Sequence, residues 1–435
     1  MSVILHRKFK KAFNLPYQLG IYLAANAVSD SCVVVDGPNC VMPKIDFLAG
    51  NHDLNSTLLS PCGSHRVICT MTGPLPQGNN PEKKFSALLN SVAGSGNFAV
   101  IMATGLPFLK LAGMDYEGLS AGIKGCVPVV DVPARSFEAD WLEGYALSLD
   151  ALVRALPTRK VSSKQFRRIR RSGGKSRKRS VALVGYLMDR NERDHAANIG
   201  EISRLLELCG LELVCVFPSG GSFNGLSRAL EAEVVVSLPY GRRAAARLAA
   251  QSGAALVETG LPMGLQGTAR WLKAVCRAAG IEGELPLAIK IREKQAAKAM
   301  APVLEALAHR NIGYAGDPYL FAAFSAYAAE LCMRVTAAFI DSFARPLDTL
   351  LLPGELLFSP DTEEVAAVIR GLVGYSKPDL AVGNSFAVTE GMFVDLPFTE
   401  LGFPSYGHHC LSDEPFLGFE GALTLAGRLL NCLRS

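Results

Sequence analysis

The sequence predicts an α/β protein of three tandem doubly wound, Rossmann-like domains with parallel sheets. Two observations predict it. Short apolar runs that read as buried strands are followed by segments of helical pattern, and this alternation implies parallel sheets with helices on both faces. The alternation also restarts twice along a chain of 435 residues, 49% of them hydrophobic, long enough to bury two or three cores of ordinary domain size.

The first domain is assigned to residues 1–158. Cys32-Val-Val-Val reads as a buried strand, 83–92 as a helix, Ala99-Val-Ile-Met-Ala as a second strand and Val127-Pro-Val-Val-Asp-Val as a third. Residues 159–180 are read as a basic linker. The second domain, 181–295, runs from the strand Val181-Ala-Leu-Val-Gly-Tyr through helix 198–209 to strand 212–217, which ends in Pro218-Ser-Gly-Gly-Ser. Strand 233–238, helix 242–251 and strand 255–258 complete it. The third domain, 296–435, takes helix 298–309, the strand Ile312-Gly-Tyr-Ala, a long helix 320–339, the strand Leu380-Ala-Val-Gly and a final helix 420–433, with the C-terminal segment returning to the first domain. Such sheets place ligands at the carboxyl ends of their strands, so the site is expected in a cleft between domains.

Composition removes several function classes. No apolar run approaches the ~20 residues needed to cross a bilayer. The N-terminal Met-Ser-Val-Ile-Leu-His-Arg-Lys-Phe-Lys-Lys leads into no long apolar core with a small-residue cleavage site, so a cytoplasmic protein without membrane association is expected. Eleven scattered cysteines argue against a disulfide framework and for buried thiols or metal ligands. The net charge of +4 conceals an asymmetry, because segment 159–180 holds 11 of the 44 basic residues and no acidic one, against 33 basic and 40 acidic residues elsewhere. Nothing else in the chain is basic or interleaved with aromatics, so the run reads as a solvated linker rather than a nucleic-acid surface.

Four motifs stand where strands are expected to end: Val35-Asp-Gly-Pro-Asn-Cys40, Ala103-Thr-Gly-Leu-Pro107, Val382-Gly-Asn-Ser385, and Gly402-Phe-Pro-Ser-Tyr406 followed by Pro415-Phe-Leu-Gly-Phe-Glu-Gly421. In this order they resemble the motifs of nitrogenase component 1 subunits, over nearly the whole chain. The resemblance implies that Gly37 and Pro38 lead into a cluster-ligating cysteine, Cys40, and that the segment around Gly105 replaces one that carries a further ligand in three-cysteine subunits. The family's other two cluster cysteines would fall near Asn14 and Gly105, so Cys40 alone remains. Ser237 stands roughly where the catalytic α-type subunit has a cofactor-anchoring cysteine, and Leu417 roughly where it has a histidine. A nitrogenase-type molybdenum cofactor is therefore not expected by the known contacts. One retained cysteine most resembles the β-type subunit of the nitrogenase cofactor-assembly scaffold, in which one cysteine completes a [4Fe-4S] cluster otherwise held by three cysteines of the partner.

The chemistry suits that implication, because soft anionic thiolates match iron and a [4Fe-4S] cube takes four of them. Cys40 is displayed after a strand and a Gly-Pro turn, although free cysteine is also among the most buried residue types. Cys62, His65 and Cys69 form a second constellation, from which Cys62 or Cys69 would replace a lost ligand; it lacks the second pair of a zinc pattern. His408-His409-Cys410 is a further group able to bind a metal or move protons, or to be ordinary loop residues. Cys126, Cys209, Cys215, Cys276, Cys332 and Cys432 read as packing. The glycines after Phe217 do not have Gly-x-Gly-x-x-Gly spacing and no Gly-Lys-Ser/Thr loop occurs, so the chain is not expected to bind ATP itself.

The resemblance thus implies a subunit of a nitrogenase-like iron–sulfur reductase complex. It would share an interface [4Fe-4S] cluster with a homologous three-cysteine α-type subunit, in a heterodimer or heterotetramer, and take electrons from an ATP-dependent iron–sulfur reductase protein. A scaffold subunit for cofactor assembly and a degenerate structural subunit are the alternatives. No catalytic residue is singled out.

Overall fold

A computed structural model of the chain describes residues 12–60, 64–73, 80–111, 113–135, 138–157, 179–186, 189–219, 221–343 and 354–434. The basic run read as a linker therefore lies outside the described residues as far as residue 178, and Arg179 already opens a strand.

The Val33-Val-Val run becomes β1 (Ser31–Asp36), every residue of which is buried. A strand without an exposed face belongs at the centre of a parallel sheet. It pairs in parallel with β2 (Val67–Cys69) on one side and β3 (Val100–Gly105) on the other, and β4 (Val129–Asp131) follows β3 at the edge. Because side chains alternate along a strand, β1 feeds two cores. Val33 and Val35 join the large core that runs through the molecule, whereas Cys32 and Val34 meet Phe85, Leu89, Ile101 and Tyr116 on the opposite face.

The second sheet has β5 (Arg179–Val184) between β6 (Leu211–Phe217) and β7 (Val234–Ser237), with β8 (Ala255–Glu258) outside β7. In the third, β9 (Asn311–Gly316) lies between β10 (Arg334–Ile340) and β12 (Leu380–Gly383), flanked by β11 (Glu355–Phe358) and β13 (Phe398–Glu400). Every pairing between these strands is parallel, so among the described residues the expected α/β architecture of parallel sheets is the observed one.

Three expectations need correction. The long helix 320–339 is two elements, a helix Pro318–Glu330 and β10. Cys332 between them adopts a left-handed φ of 57°, and Val335-Thr-Ala-Ala-Phe-Ile, buried throughout, is a continuous run suited to an inner strand. Helix 298–309 is the second half of Leu287–Leu307, which runs on through Pro302. Cys126 and Cys332 are exposed rather than packed, since one sits in the loop before β4 and the other at the turn just described; Cys209, Cys276 and Cys432 are buried and Cys215 is half-buried.

The units are joined by packing. Helices Tyr17–Asn26 and Trp141–Ala155 lie against each other, and the second of them meets Arg242–Ser252. The final helix, Gly418–Arg434, packs on Leu287–Leu307, Arg193–Leu208 and Leu265–Ala278. Ahead of it, Phe403 reaches the first unit, with ring centroids 5.0 Å from Trp141 and 4.8 Å from His52. No helix among the described residues is long and apolar enough to cross a membrane.

Candidate functional site

Parallel register brings most of the sequence-predicted site to one strand edge. Asp36, the last residue of β1, lies beside Gly105 of β3, and Val35 lies between Cys69 of β2 and Thr104 of β3. After Asp36 come Gly37, Pro38 in extended conformation (φ −74°, ψ 177°), and a short 3₁₀ turn, Asn39–Val41, that contains Cys40. The carboxyl ends of three adjacent strands thus present the Cys40 turn, Cys69 and Gly105 together.

A small hydrogen-bond network closes this edge from below. Thr70 Oγ1 donates to Asp36 Oδ1 (2.6 Å) and accepts from the Gly37 N–H (3.0 Å), and Tyr116 OH donates to Asp36 Oδ2 (3.1 Å). Burial pushes the Asp36 carboxyl above its ordinary value, against the opposing effect of the Thr70 and Tyr116 hydrogen bonds. The two glycines serve close packing: a Cβ on Gly37 would lie 2.6 Å from Leu106 Cδ1, and one on Gly105 would lie 2.1 Å from Tyr116 OH. Cys69 is half-buried with its Sγ 3.4 Å from Met71 Sδ, and Met71 is exposed. His65 Nδ1 accepts from the Ser60 N–H (3.2 Å), while Cys62 lies outside the described residues.

A second centre, which the sequence reading missed apart from its histidine–cysteine group, lies where all three units meet. Arg190, buried just beyond the carboxyl end of β5, grips Asp194 with Nη2 (2.6 Å) and Nε (3.3 Å), and donates through Nη1 to the carbonyl of His408 (3.1 Å). Burial works against charge on Asp194, but Arg190 holds its carboxyl below the usual value. Asp53 of the first unit accepts from Asn26 Nδ2 (2.7 Å) and from the N–H (3.0 Å) and Nδ2 (2.8 Å) of Asn191. His409 Nδ1 is 2.8 Å from Glu192 Oε1. His52, Arg190, Asp194, Ser405, His408 and Arg428 surround a cavity of about 20 Å³, room for one water molecule. One signal of this centre was available, since Asp189-Arg-Asn-Glu-Arg-Asp194 places charge directly after a buried strand.

His52 supplies a pH dependence. Its Nδ1 accepts from the Ser405 N–H (3.0 Å), and burial, helped by Arg190, pushes the imidazole down to about 3. The folded state therefore binds this proton less readily than the unfolded chain, where histidine titrates near 6.5. Stability is full above that value and falls as pH drops toward 3, by at most about 1.4 kcal/mol per pH unit. The unfolding free energy of the parent protein, from urea titrations, is expected to fall by about 1.6 kcal/mol more between pH 6.5 and 5 than that of His52→Gln, which has no proton to gain. Equal losses in the two proteins would refute this.

The positions compared with cofactor ligands are occupied by packing. Ser237 is fully buried at the end of β7, its Oγ donating to the Leu238 carbonyl (3.2 Å), and Leu417 is a core residue. A larger cavity, of about 530 Å³, opens beside Arg334, Thr336, Glu355, Val368 and Leu372 at the amino ends of β10 and β11. That is the edge opposite the one at which parallel sheets hold ligands.

Residues 82–434 match the model of a family described as nitrogenase component 1 type oxidoreductase. The B polypeptide of the light-independent protochlorophyllide reductase of Chlorobium luteolum is 29% identical over 259 residues, covering 54% of this chain and 48% of its own. The N polypeptide of the same enzyme from Heliobacterium mobile is 27% identical over 251 residues, covering 57% and 53%. The nitrogenase molybdenum-iron protein beta chain of Frankia alni is 26% identical over 185 residues, covering 41% and 34%. The chain thus spans about half the length, or less, of these curated relatives. The solved structure "Nitrogenase Cp1 at pH 6.5" superposes with a TM-score of 0.77 across 98% of this chain and 93% of that one, at 15% identity, a likeness of fold.

Proposed function

The chain belongs to the nitrogenase component 1 type oxidoreductases, and we propose that it is the β-type member of a two-chain reductase complex, giving Cys40 to a [4Fe-4S] cluster at the interface with a three-cysteine α-type partner. The observation that carries this reading is the strand edge itself. Cys40 sits in a turn at the carboxyl end of the central strand β1, with Cys69 at the end of the neighbouring strand.

The donor set suits part of a cluster and falls short of a whole one. Four thiolates are needed, and among the described residues this edge offers Cys40 and Cys69. Cys40 is the proposed ligand, with Cys69, or Cys62 beyond the described residues, as an available second. When bound, the cluster would supply one-electron transfer. The chain's own contribution would be a cysteine carried by the turn that follows β1, next to Asp36, whose buried carboxyl disfavours added negative charge. Gly37, Pro38 and Gly105 set the backbone of that edge. Electrons would come from a separate ATP-dependent iron–sulfur reductase, in the cytoplasm, and the substrate would sit in the partner or at the interface, since the junction cavity of this chain holds no more than a water.

Anaerobic co-purification with the partner, followed by iron analysis, tests the proposal. Cys40→Ala is expected to remove most of the shared-cluster iron per heterodimer, and unchanged iron would sink the assignment. Cys69→Ala and Cys62→Ala, measured alongside, identify any second ligand. Turnover with the reductase and ATP then separates an enzyme subunit from an assembly scaffold, which would release its cofactor and reduce little.

A further inference from the structure

The loop between β13 and the final helix carries donors that the shared-cluster reading leaves unused. His408, Cys410 and Glu414 each offer one ligand atom, a nitrogen, a sulfur and an oxygen, and these lie within 4.8 Å of one another. We infer that this triad, His-x-Cys-x3-Glu, binds one divalent metal ion of the zinc class through three side chains, with the fourth position taken by water.

The donor types come first. One imidazole, one thiolate and one carboxylate make a borderline-soft set, and three protein ligands plus water is a standard arrangement for zinc. Geometry agrees. His408 Nε2 lies 3.4 Å from Glu414 Oε2, close to the ~3.3 Å separation of two ligands on a tetrahedral ion with bonds of 2.0–2.1 Å. Although buried, this nitrogen makes no hydrogen bond, so the two groups face each other at ligand spacing without being bonded to one another. A shift of about 1 Å would bring Cys410 Sγ to the corresponding edge.

The surroundings hold the triad in place. The Cys410 N–H donates to Glu192 Oε2 (2.9 Å) and its carbonyl accepts from the Arg193 N–H (3.2 Å), which fixes the loop on both sides of the sulfur. Arg190 binds the His408 carbonyl and lies 3.9 Å from Cys410 Sγ through Nη2, where it would favour the thiolate, and it is itself paired with Asp194. Arg428, which lines the adjoining cavity, donates to the Glu400 carbonyl. The cysteinate and the Glu414 carboxylate would together neutralise a doubly charged ion. His409, between the two ligands in sequence, turns away to Glu192 and is no part of the site. A bound ion would fasten this third-unit loop where it meets the second.

The triad shares no residue with the Cys40 edge, so the two claims fail separately. The test uses the full chain, purified anaerobically, stripped with a chelator and titrated with Co(II) alone. A thiolate-to-cobalt charge-transfer band in the near ultraviolet, saturating at one equivalent and displaced by Zn(II), is the expected result. Cys410→Ser is expected to abolish the band, while His409→Ala and Cys40→Ala retain it. Glu414→Gln, at a half-exposed position that folding tolerates, is expected to weaken binding by more than the roughly 10–100-fold that loss of an outer partner of a metal ligand costs. The inference is overturned if the parent protein gives no band, if Cys410→Ser keeps it, or if Glu414→Gln binds as tightly as the parent.

Discussion

Gly20→Ala is expected to destabilise the protein by about 3 kcal/mol or more, even though alanine is the better helix former by about 1 kcal/mol. Gly20 lies in the helix Tyr17–Asn26, all of whose residues are buried, where it meets Trp141–Ala155. A Cβ added there would stand 1.8 Å from the Trp141 carbonyl oxygen and 2.5 Å from the Tyr145 nitrogen. The approach is reciprocal, since a Cβ on Gly144 would stand 2.1 Å from the Tyr17 carbonyl oxygen. These obstacles are backbone, which no rotamer change can move. The helices must separate, and every close contact along their crossing weakens with them. Crowding and propensity thus predict opposite signs, and urea midpoints decide between them. A Gly20→Ala protein more stable than its parent would show that the helices can part freely.

That crossing was invisible in the sequence, and the reason is general. A glycine in a helical stretch looks like a defect until the partner helix is known, and here the partner lies more than 110 residues away. Inner strands were legible for the opposite reason: β1, β3, β7 and β12 are buried throughout, so burial alone wrote their apolar runs. β10 is likewise buried beyond Arg334, yet it follows an apolar helix after a turn of only three residues, and the two merged into one pattern. β2, β11 and β13 are three or four residues long and partly exposed, too short for any period to show.

The candidate site divides along the same line. The Gly-Pro turn before Cys40 is local chemistry, readable from adjacent residues. His52, by contrast, acquires its meaning from Ser405, 353 positions away. For His408-His409-Cys410 the composition was legible but the direction was not, because nothing in two consecutive histidines says which turns toward Glu414 and which toward Glu192.

Asp317→Asn is expected to raise stability by about 2–3 kcal/mol at pH 7.5 and to change it little at pH 4. Asp317 lies just past the end of β9 and caps the helix Pro318–Glu330. Its Oδ1 accepts from the N–H groups of Tyr319 and Leu320 (both 2.9 Å) and from Tyr240 OH (3.0 Å). Oδ2 is buried without a hydrogen-bond partner among the described residues. Burial raises the carboxyl to about 6, against the lowering effect of the hydrogen bonds to Oδ1. Such a group contributes its full stability below the unfolded value of 3.8, where it is protonated in both states, and loses it as pH rises through 6. Asparagine keeps the capping oxygen and never ionises, so it escapes that loss. It also relieves Asp341, buried close by, whose carboxyl is raised by burial first and then by the charges of Asp317 and Asp140. Denaturation midpoints of the two proteins between pH 4 and 7.5 carry the test. A stability difference that opens as pH rises locates the strain in the ionised carboxylate, whereas one that stays constant across the range would assign it to packing and refute the electrostatic account.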